Sequence, residues 1–376
     1  MTAAMIFALA AAVSSSSVSW PTKAWPDSTP AAEGMDAAPL QEFDRELSSG
    51  DNGYVDSMLV IRHGKVVYEK SYDHAADYRR LFENRGAPGI YNYYDPDWHP
   101  FYKGTKLHTM QSVSKSVTSA LVGIAIANGR IPRIDAKVMP YFAAFGVAPD
   151  PRRDRMTVRD VLTMTTGIRW DEESTDYTDP RNNCAAMEGK DDWVRYVLEQ
   201  PMEEEPGRKF VYDSGATQLL SYLIFKSTGK QADDYAKDQL FGPLGISFYW
   251  KRTPKGLADT EGGLYLTPRD LAKIGYLYLH GGVWDGRRIL TEEWVRDSTR
   301  PSVKTNEPFY EYGYQWWTIA AESTRPEAFV AWGYGGQLLI VAPKLDLIAV
   351  FTGWNIYGKP ELDPRYALGR VAAAVK

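Results

Sequence analysis

The chain has 376 residues, 44% hydrophobic and 24% charged, with a formal net charge of −5 at pH 7. Such a composition belongs to a globular protein long enough for one large domain or two, and its acidic balance excludes an electrostatic case for nucleic acid or an anionic membrane as partner. Cys184 is the single cysteine, which excludes an intrachain disulfide and a multi-cysteine metal site.

Ala3 to Val13 is an apolar run of secretion-signal length, followed by four serines but preceded by no Lys or Arg, and too short to span a bilayer. It predicts a signal-like or flexible leader over 1–33 and a periplasmic or secreted location, with the cytoplasm left open. Trp20 to about Pro39, rich in Pro, Ala and Thr, reads as leader or wrap. Val55 to Arg62 and Lys65 to Tyr72 are β-rich runs joined by His63-Gly64, a hairpin signal. His74 to Lys106 has no periodicity and carries Tyr91, Tyr93, Tyr94, Trp98, Phe101 and Tyr102. It is either a functional loop or a packed surface excursion.

Ser116 to Gly129 is small and apolar and ends in Asn128-Gly129, which predicts a buried helix. Helical segments follow at Val158 to Met164, Asp191 to Gln200, Gly215 to Ser227 and Ala232 to Phe241. Thr267-Pro268 opens another over Leu271 to His280, with Thr as N-cap and Pro in the first turn, and Thr291 to Thr299 repeats the pattern. Strands return at Phe329 to Trp332, Gly336 to Val341 and Leu347 to Phe351, with a turn at 343–346 and a closing helix over Ala367 to Val375. The predicted fold class is α+β: an antiparallel sheet flanked by helices, built from 34–115 and 300–376, with a mainly helical domain, 116–299, inserted and the site at their junction.

Ser112-Val113-Ser114-Lys115 stands at the start of the first buried helix. A serine and a lysine three apart there share one face, so a hydroxyl lies beside an amine able to take its proton if burial lowers the amine's pKa. The pattern occurs again at Ser227-Thr228-Gly229-Lys230, where Gly229 reads as a helix cap and Lys230 as a complement to the helix dipole. Acyl transfer also needs a group that passes the proton to the leaving group. Tyr212, in Val211-Tyr212-Asp213-Ser214, is the candidate, with Ser214 able to cap the next helix and Lys115 the cation that would favour a phenolate. Trp332-Gly333-Tyr334-Gly335-Gly336-Gln337 lies on a strand edge, where glycines allow a substrate close to the backbone.

Taken in this order, the three motifs resemble those of serine hydrolases related to class C β-lactamases and penicillin-binding proteins, among them family VIII-type esterases and 6-aminohexanoate-dimer hydrolases. The resemblance includes Leu162-Thr163-Met164-Thr165-Thr166-Gly167, Gly242-Pro243-Leu244-Gly245 and Gly262-Gly263-Leu264. It implies the β-lactamase-like fold, Ser112 as nucleophile, Lys115 and Tyr212 as base and acid, and the N–H groups of Ser112 and Gln337 as oxyanion hole. Ser214, Tyr334, Gly335, Gly336, Trp170 and Tyr177 are candidate substrate contacts. No cofactor or metal is expected.

Two departures bear on the substrate. Tyr-x-Asn of the lactamases is Tyr212-Asp213-Ser214 here, and their Lys-Thr-Gly is Tyr334-Gly335-Gly336, which removes a cation suited to a penicillin carboxylate. The expected activity is hydrolysis of small carboxylic esters or amides, as by a carboxylesterase or an aminohexanoate-oligomer amidase. The alternatives are a β-lactamase, a D-amino-acid peptidase or a slow-turnover penicillin-binding sensor. Asp171, Glu172, Glu173 and Asp176 either bind a substrate ammonium or form a solvated acidic loop. No Gly-x-Ser-x-Gly, phosphate loop or zinc spacing is present.

Overall fold

The computed structural model describes residues 20–78, 100–177, 179–323, 325–356 and 360–376. The signal-like run and Tyr91, Tyr93, Tyr94 and Trp98 lie outside the described residues. Trp20 and Trp25, placed in the leader by sequence, pack edge-on against Tyr276, and the Trp25 indole donates to the Arg269 carbonyl at 2.8 Å. This stretch wraps the protein.

Helix α1 (Ala37–Ser49) was not foreseen. Asp36 caps it by accepting from the Ala38 N–H, Gly50 ends it in the left-handed region, and Leu40, Phe43 and Leu47 bury one face. β1 (Val55–Arg62) and β2 (Lys65–Ser71) form the expected hairpin. His63 and Gly64 both take positive φ, 51° and 72°, as a two-residue turn of matching twist requires. A Cβ on Gly64 would meet the Tyr276 hydroxyl at 2.4 Å.

β3 (His108–Thr109) leads into α2 (Val113–Ala127), whose residues from Val113 to Ala125 are all buried. Small residues let neighbouring elements close on every side: a Cβ on Gly123 would strike the Trp294 ring at 2.5 Å. The helical side continues with α3 (Val158–Leu162), α4 (Asn183–Glu188), α5 (Trp193–Glu199), α6 (Ser214–Thr228) and α7 (Ala232–Ala236). Asp213, rather than Ser214, caps α6, its Oδ1 accepting from the Ala216 N–H at 2.9 Å. Gly229 closes α6 at φ 76°, as the second Ser-x-x-Lys predicted, while Lys230 pairs with Asp238. β4 (Tyr249–Trp250) and β5 (Leu264–Leu266) join β3 in a small sheet of order β3-β5-β4. α8 (Pro268–Leu279), capped by Thr267, β6 (Val283–Trp284), β7 (Arg287–Arg288) and α9 (Glu292–Ser298) follow.

β8 (Val303–Lys304), β9 (Tyr310–Tyr312), β10 (Trp317–Ile319), β11 (Ala328–Gly333), β12 (Gln337–Ala342) and β13 (Leu347–Gly353) complete an antiparallel sheet of order β2-β1-β13-β12-β11-β10-β9-β8. β1, beside the edge strand β2, pairs with β13 and so joins both halves of the chain. α1 and α10 (Pro364–Ala372) pack together, with Phe43, Leu368 and Val371 in one core with Met58, Val60, Leu338 and Phe351. α8 covers β12 and β13 on the opposite side, Gly275 lying against Leu339, Val341 and Ile348. The fold is α+β, an antiparallel sheet flanked by helices. Among the described residues no helix is long and apolar enough to cross a membrane.

Candidate active site

Ser112 occupies the turn between β3 and α2. Gln111 before it holds a positive φ of 47°, a strained conformation for a residue with a side chain, and is buried. Ser112 takes the N-cap position of α2, yet its hydroxyl makes no capping bond. The oxygen is instead met by the Lys115 amine at 3.0 Å. That amine also donates to the Glu261 carbonyl at 2.8 Å and to Glu261 Oε2 at 3.4 Å, and lies 5.4 Å from the centroid of the Tyr212 ring.

Tyr212 precedes the α6 cap and stacks on Trp317 with ring centroids 5.8 Å apart. Its phenol and Ser112 line the same cleft, close enough for the Ser112 side chain to act on the phenol. Hydroxyl, amine and phenol therefore lie near one another, although they come from segments a hundred residues apart.

Their protonation follows from the surroundings. Burial pushes the Lys115 amine down, but the carboxylates of Glu261 and Glu172 more than offset it, and the net direction is up. The Tyr212 phenol is held well above its ordinary value, first by burial and then by the Glu172 carboxylate. The expected phenolate is thus not the resting form. The site at rest holds an ammonium and a neutral phenol, which makes Tyr212 a proton donor.

Glu172 organises this corner. It is buried, and it accepts from the Trp170 indole at 2.6 Å, the Ser214 N–H at 2.8 Å, the Ser214 hydroxyl at 2.7 Å and the Tyr177 hydroxyl at 3.2 Å. Ser214 and Trp170, expected to touch substrate, are instead interior: Ser214 is spent on Glu172, and Trp170 packs under the first turn of α6 against Gly215. Asp171 is held by Ser174, and Glu173 lines the cleft. The acidic loop is therefore neither wholly solvated nor a single cation seat.

The cleft, about 200 Å³, is lined by Ser112 and Tyr212, by the rings of Tyr177, Trp317, Trp332 and Tyr334, and by Glu173, Glu307 and Glu361. Burial pushes the carboxyl groups of Glu173 and Glu361 up to about 7. Tyr177 and Tyr334 face each other at 5.1 Å. Gly335 and Gly336, at φ 86° and 97°, form the hairpin turn, and the Gly335 N–H is tied to Glu361 Oε1 at 2.9 Å.

The Gln337 side chain does not reach the cleft. The residue opens β12 and is fully buried; its carboxamide is bound to the carbonyls of Gly353 and Tyr334. β11 is the strand that reaches the nucleophile turn, since a Cβ on Gly333 would come within 3.1 Å of the Ser112 nitrogen. Sequence reading also missed Glu261, Glu361 and Trp317. Glu261 directly precedes the Gly262-Gly263-Leu264 motif, which was a usable signal; Glu361, in the stretch after β13, offered none.

Residues 52–353 match the family model described as Beta-lactamase. A "6-aminohexanoate-dimer hydrolase" of Paenarthrobacter ureafaciens is 26% identical over 307 residues, covering 75% of this chain and 73% of the relative. Among solved structures, "EstCE1, a hydrolase with promiscuous acyltransferase activity" superposes with a TM-score of 0.64 at 15% identity, over 89% of this chain and 98% of the other. A penicillin-binding protein homologue from Caulobacter crescentus gives 0.63 at 16% identity, over 90% and 96%. At such identities these structures are alike in fold.

Proposed function

Because the chain belongs to the beta-lactamase family of hydrolases, we propose that it cleaves small carboxylic esters or amides through an acyl-enzyme on Ser112. The observation that carries this reading is the Lys115 amine on the Ser112 hydroxyl, with the Tyr212 phenol beside them and lining the same cleft as Ser112. Ser112 attacks the carbonyl as its proton passes to Lys115, and Tyr212 hands a proton to the departing alcohol or amine. The oxyanion is held by the Ser112 N–H and by a second backbone N–H of the β11–β12 hairpin, the element that lies against the nucleophile turn. Each donor contributes about 3 kcal/mol in sites of this kind.

Among its described lining residues the cleft carries three acidic side chains, two of them pushed up to about 7, and no Lys, Arg or His. That balance disfavours an anionic substrate such as a penicillin and suits a neutral ester, a short amide or an amide bearing an ammonium group. The phenol beside Ser112 favours turnover over a slow acyl trap. Rates on p-nitrophenyl butyrate, a 6-aminohexanoate dimer and nitrocefin separate esterase, amidase and lactamase, and nitrocefin is expected to be the poorest. Ser112→Ala is expected to reduce turnover to background, and undiminished turnover in that variant refutes the reading.

A further inference from the structure

Beneath Lys115 lies a group of buried acids that the reaction above does not use. Glu261 Oε2 touches the amine, while Oε1 accepts the Cys184 thiol at 4.0 Å. One oxygen of Glu188, one of Glu261 and the Cys184 sulfur all lie within 4.8 Å of one another. Both carboxyl oxygens of Glu188 are buried with no hydrogen-bond donor facing them. Two carboxylates cannot donate to each other, so this contact becomes a hydrogen bond only when one carries a proton. Burial and the neighbouring Glu261 carboxylate both push Glu188 up, which puts that proton on Glu188.

Resting Lys115 poses a problem that these acids resolve. Its three N–H bonds all have acceptors: Ser112 Oγ, the Glu261 carbonyl and Glu261 Oε2. An ammonium so placed cannot accept the Ser112 proton. Glu172 also acts on the amine electrostatically, but its oxygens are occupied by Trp170, Ser214 and Tyr177. Glu261 is the carboxylate in contact, and in a buried site an amine and a carboxylic acid escape the desolvation cost of an ion pair.

We propose that Glu261, steadied by the protonated Glu188, is a positioning residue that takes and stores the proton Lys115 must lose before it can serve Ser112. The proposal rests on the Ser112 acyl-enzyme reading. A proton moves from Nζ to Oε2, breaking an N–H bond, forming an O–H bond and cancelling both charges. The freed Nζ lone pair then takes the Ser112 hydroxyl proton as the Oγ–C bond forms and the carbonyl π pair moves to oxygen. On collapse Lys115 returns that proton through Tyr212 to the leaving oxygen or nitrogen, whose bond to carbon breaks. Water repeats the sequence in the second half. Glu261 keeps its proton throughout, so the pair ends with the proton count it began with. Other titratable groups acting on this cluster among the described residues include Tyr212, Tyr312, Asp259 and Lys251.

The test is the rate at which a fluorophosphonate modifies Ser112, followed from about pH 5 to 9 in the full chain. In the wild type the acid limb reports an extra proton on the Lys115–Glu261 pair. In Glu261→Gln the amine must lose its proton to solvent, so the limb moves up by at least about one pH unit, a roughly tenfold slower reaction at pH 6. An unmoved limb, as expected of a mere hydrogen-bond acceptor, overturns the proposal. So does a limb moved down, as expected if the carboxylate only raises the amine. Should the Glu261→Gln variant fail to fold, Glu188→Leu gives a second reading. Glu188→Leu removes the acid that steadies Glu261, so the limb rises by about half a unit; a stationary limb again overturns the proposal. A wild-type Ser112 that no pH makes reactive instead brings down the acyl-enzyme reading itself.

Discussion

Glu172 provides the sharpest quantitative test of how the site is held. In Glu172→Ala the hydroxyls of Ser214 and Tyr177 can rotate toward other partners, but the Ser214 N–H and the Trp170 indole N–H cannot. A buried donor left unmatched costs about 1–3 kcal/mol, so the two together cost about 4 kcal/mol. With roughly 2.1 cal/mol/K of unfolding entropy per residue, 376 residues give about 0.8 kcal/mol/K, and Tm should fall by about 5 °C. Glu172→Gln keeps one oxygen for the two N–H donors and turns its amide toward hydroxyls that can accept, so its Tm should stay within about 2 °C of wild type. Because the Glu172 charge holds both Tyr212 and Lys115 up, the Gln variant should also move the alkaline limb of kcat/KM to lower pH. Calorimetric melting of the three proteins in one buffer decides the matter. An Ala variant melting with wild type, or a Gln variant melting below Ala, refutes the reasoning.

Two further outcomes follow from other parts of the structure. Gly333→Ala places a Cβ 2.4 Å from the Met110 carbonyl oxygen and 3.1 Å from the Ser112 nitrogen, both backbone atoms, so β11 must lift away from the nucleophile turn. A loss of about 1–3 kcal/mol in stability and about 100-fold in kcat is expected, measured by urea unfolding and ester turnover, and an unchanged kcat counts against the geometry. Glu33 is held down to about 2 from an ordinary 4.5, first by the Lys65 ammonium at 2.7 Å and then by Ser28 and His63. A folded pKa below the unfolded one gives stability that is present above pH 4.5 and lost as pH falls from there to 2. Since Lys65 is half exposed, the contribution is about 1 kcal/mol. Glu33→Gln should be weaker than wild type by that much in urea at pH 7 and equal to it near pH 2; a difference independent of pH contradicts the assignment.

Where local chemistry decided the structure, the sequence was readable. His63-Gly64 demanded a tight hairpin, Thr267-Pro268 a helix start, and Asn128-Gly129 a helix end, and each stands where it was expected. β8, β9 and β10 were missed because strands of two or three residues draw their order from neighbours rather than from alternation. Ser112, Lys115 and Tyr212, which the structure brings near one another, stood out in the sequence because each lies at or beside a helix start. Trp170 and Ser214 were misplaced for a different reason: an aromatic and a hydroxyl near a site look alike whether they face substrate or a buried carboxylate.

The pairing of Val55 with Gly353, which joins the first and last strands of the chain, has a consequence for synthesis. Hairpin β1–β2 leaves the ribosome with a long, apolar edge whose partner strand is almost three hundred codons downstream. At about 5–20 residues per second that edge stays open for roughly 15–60 s. Until β13 emerges, that open edge is a template for edge-to-edge pairing, and a stalled or truncated translation product keeps it exposed.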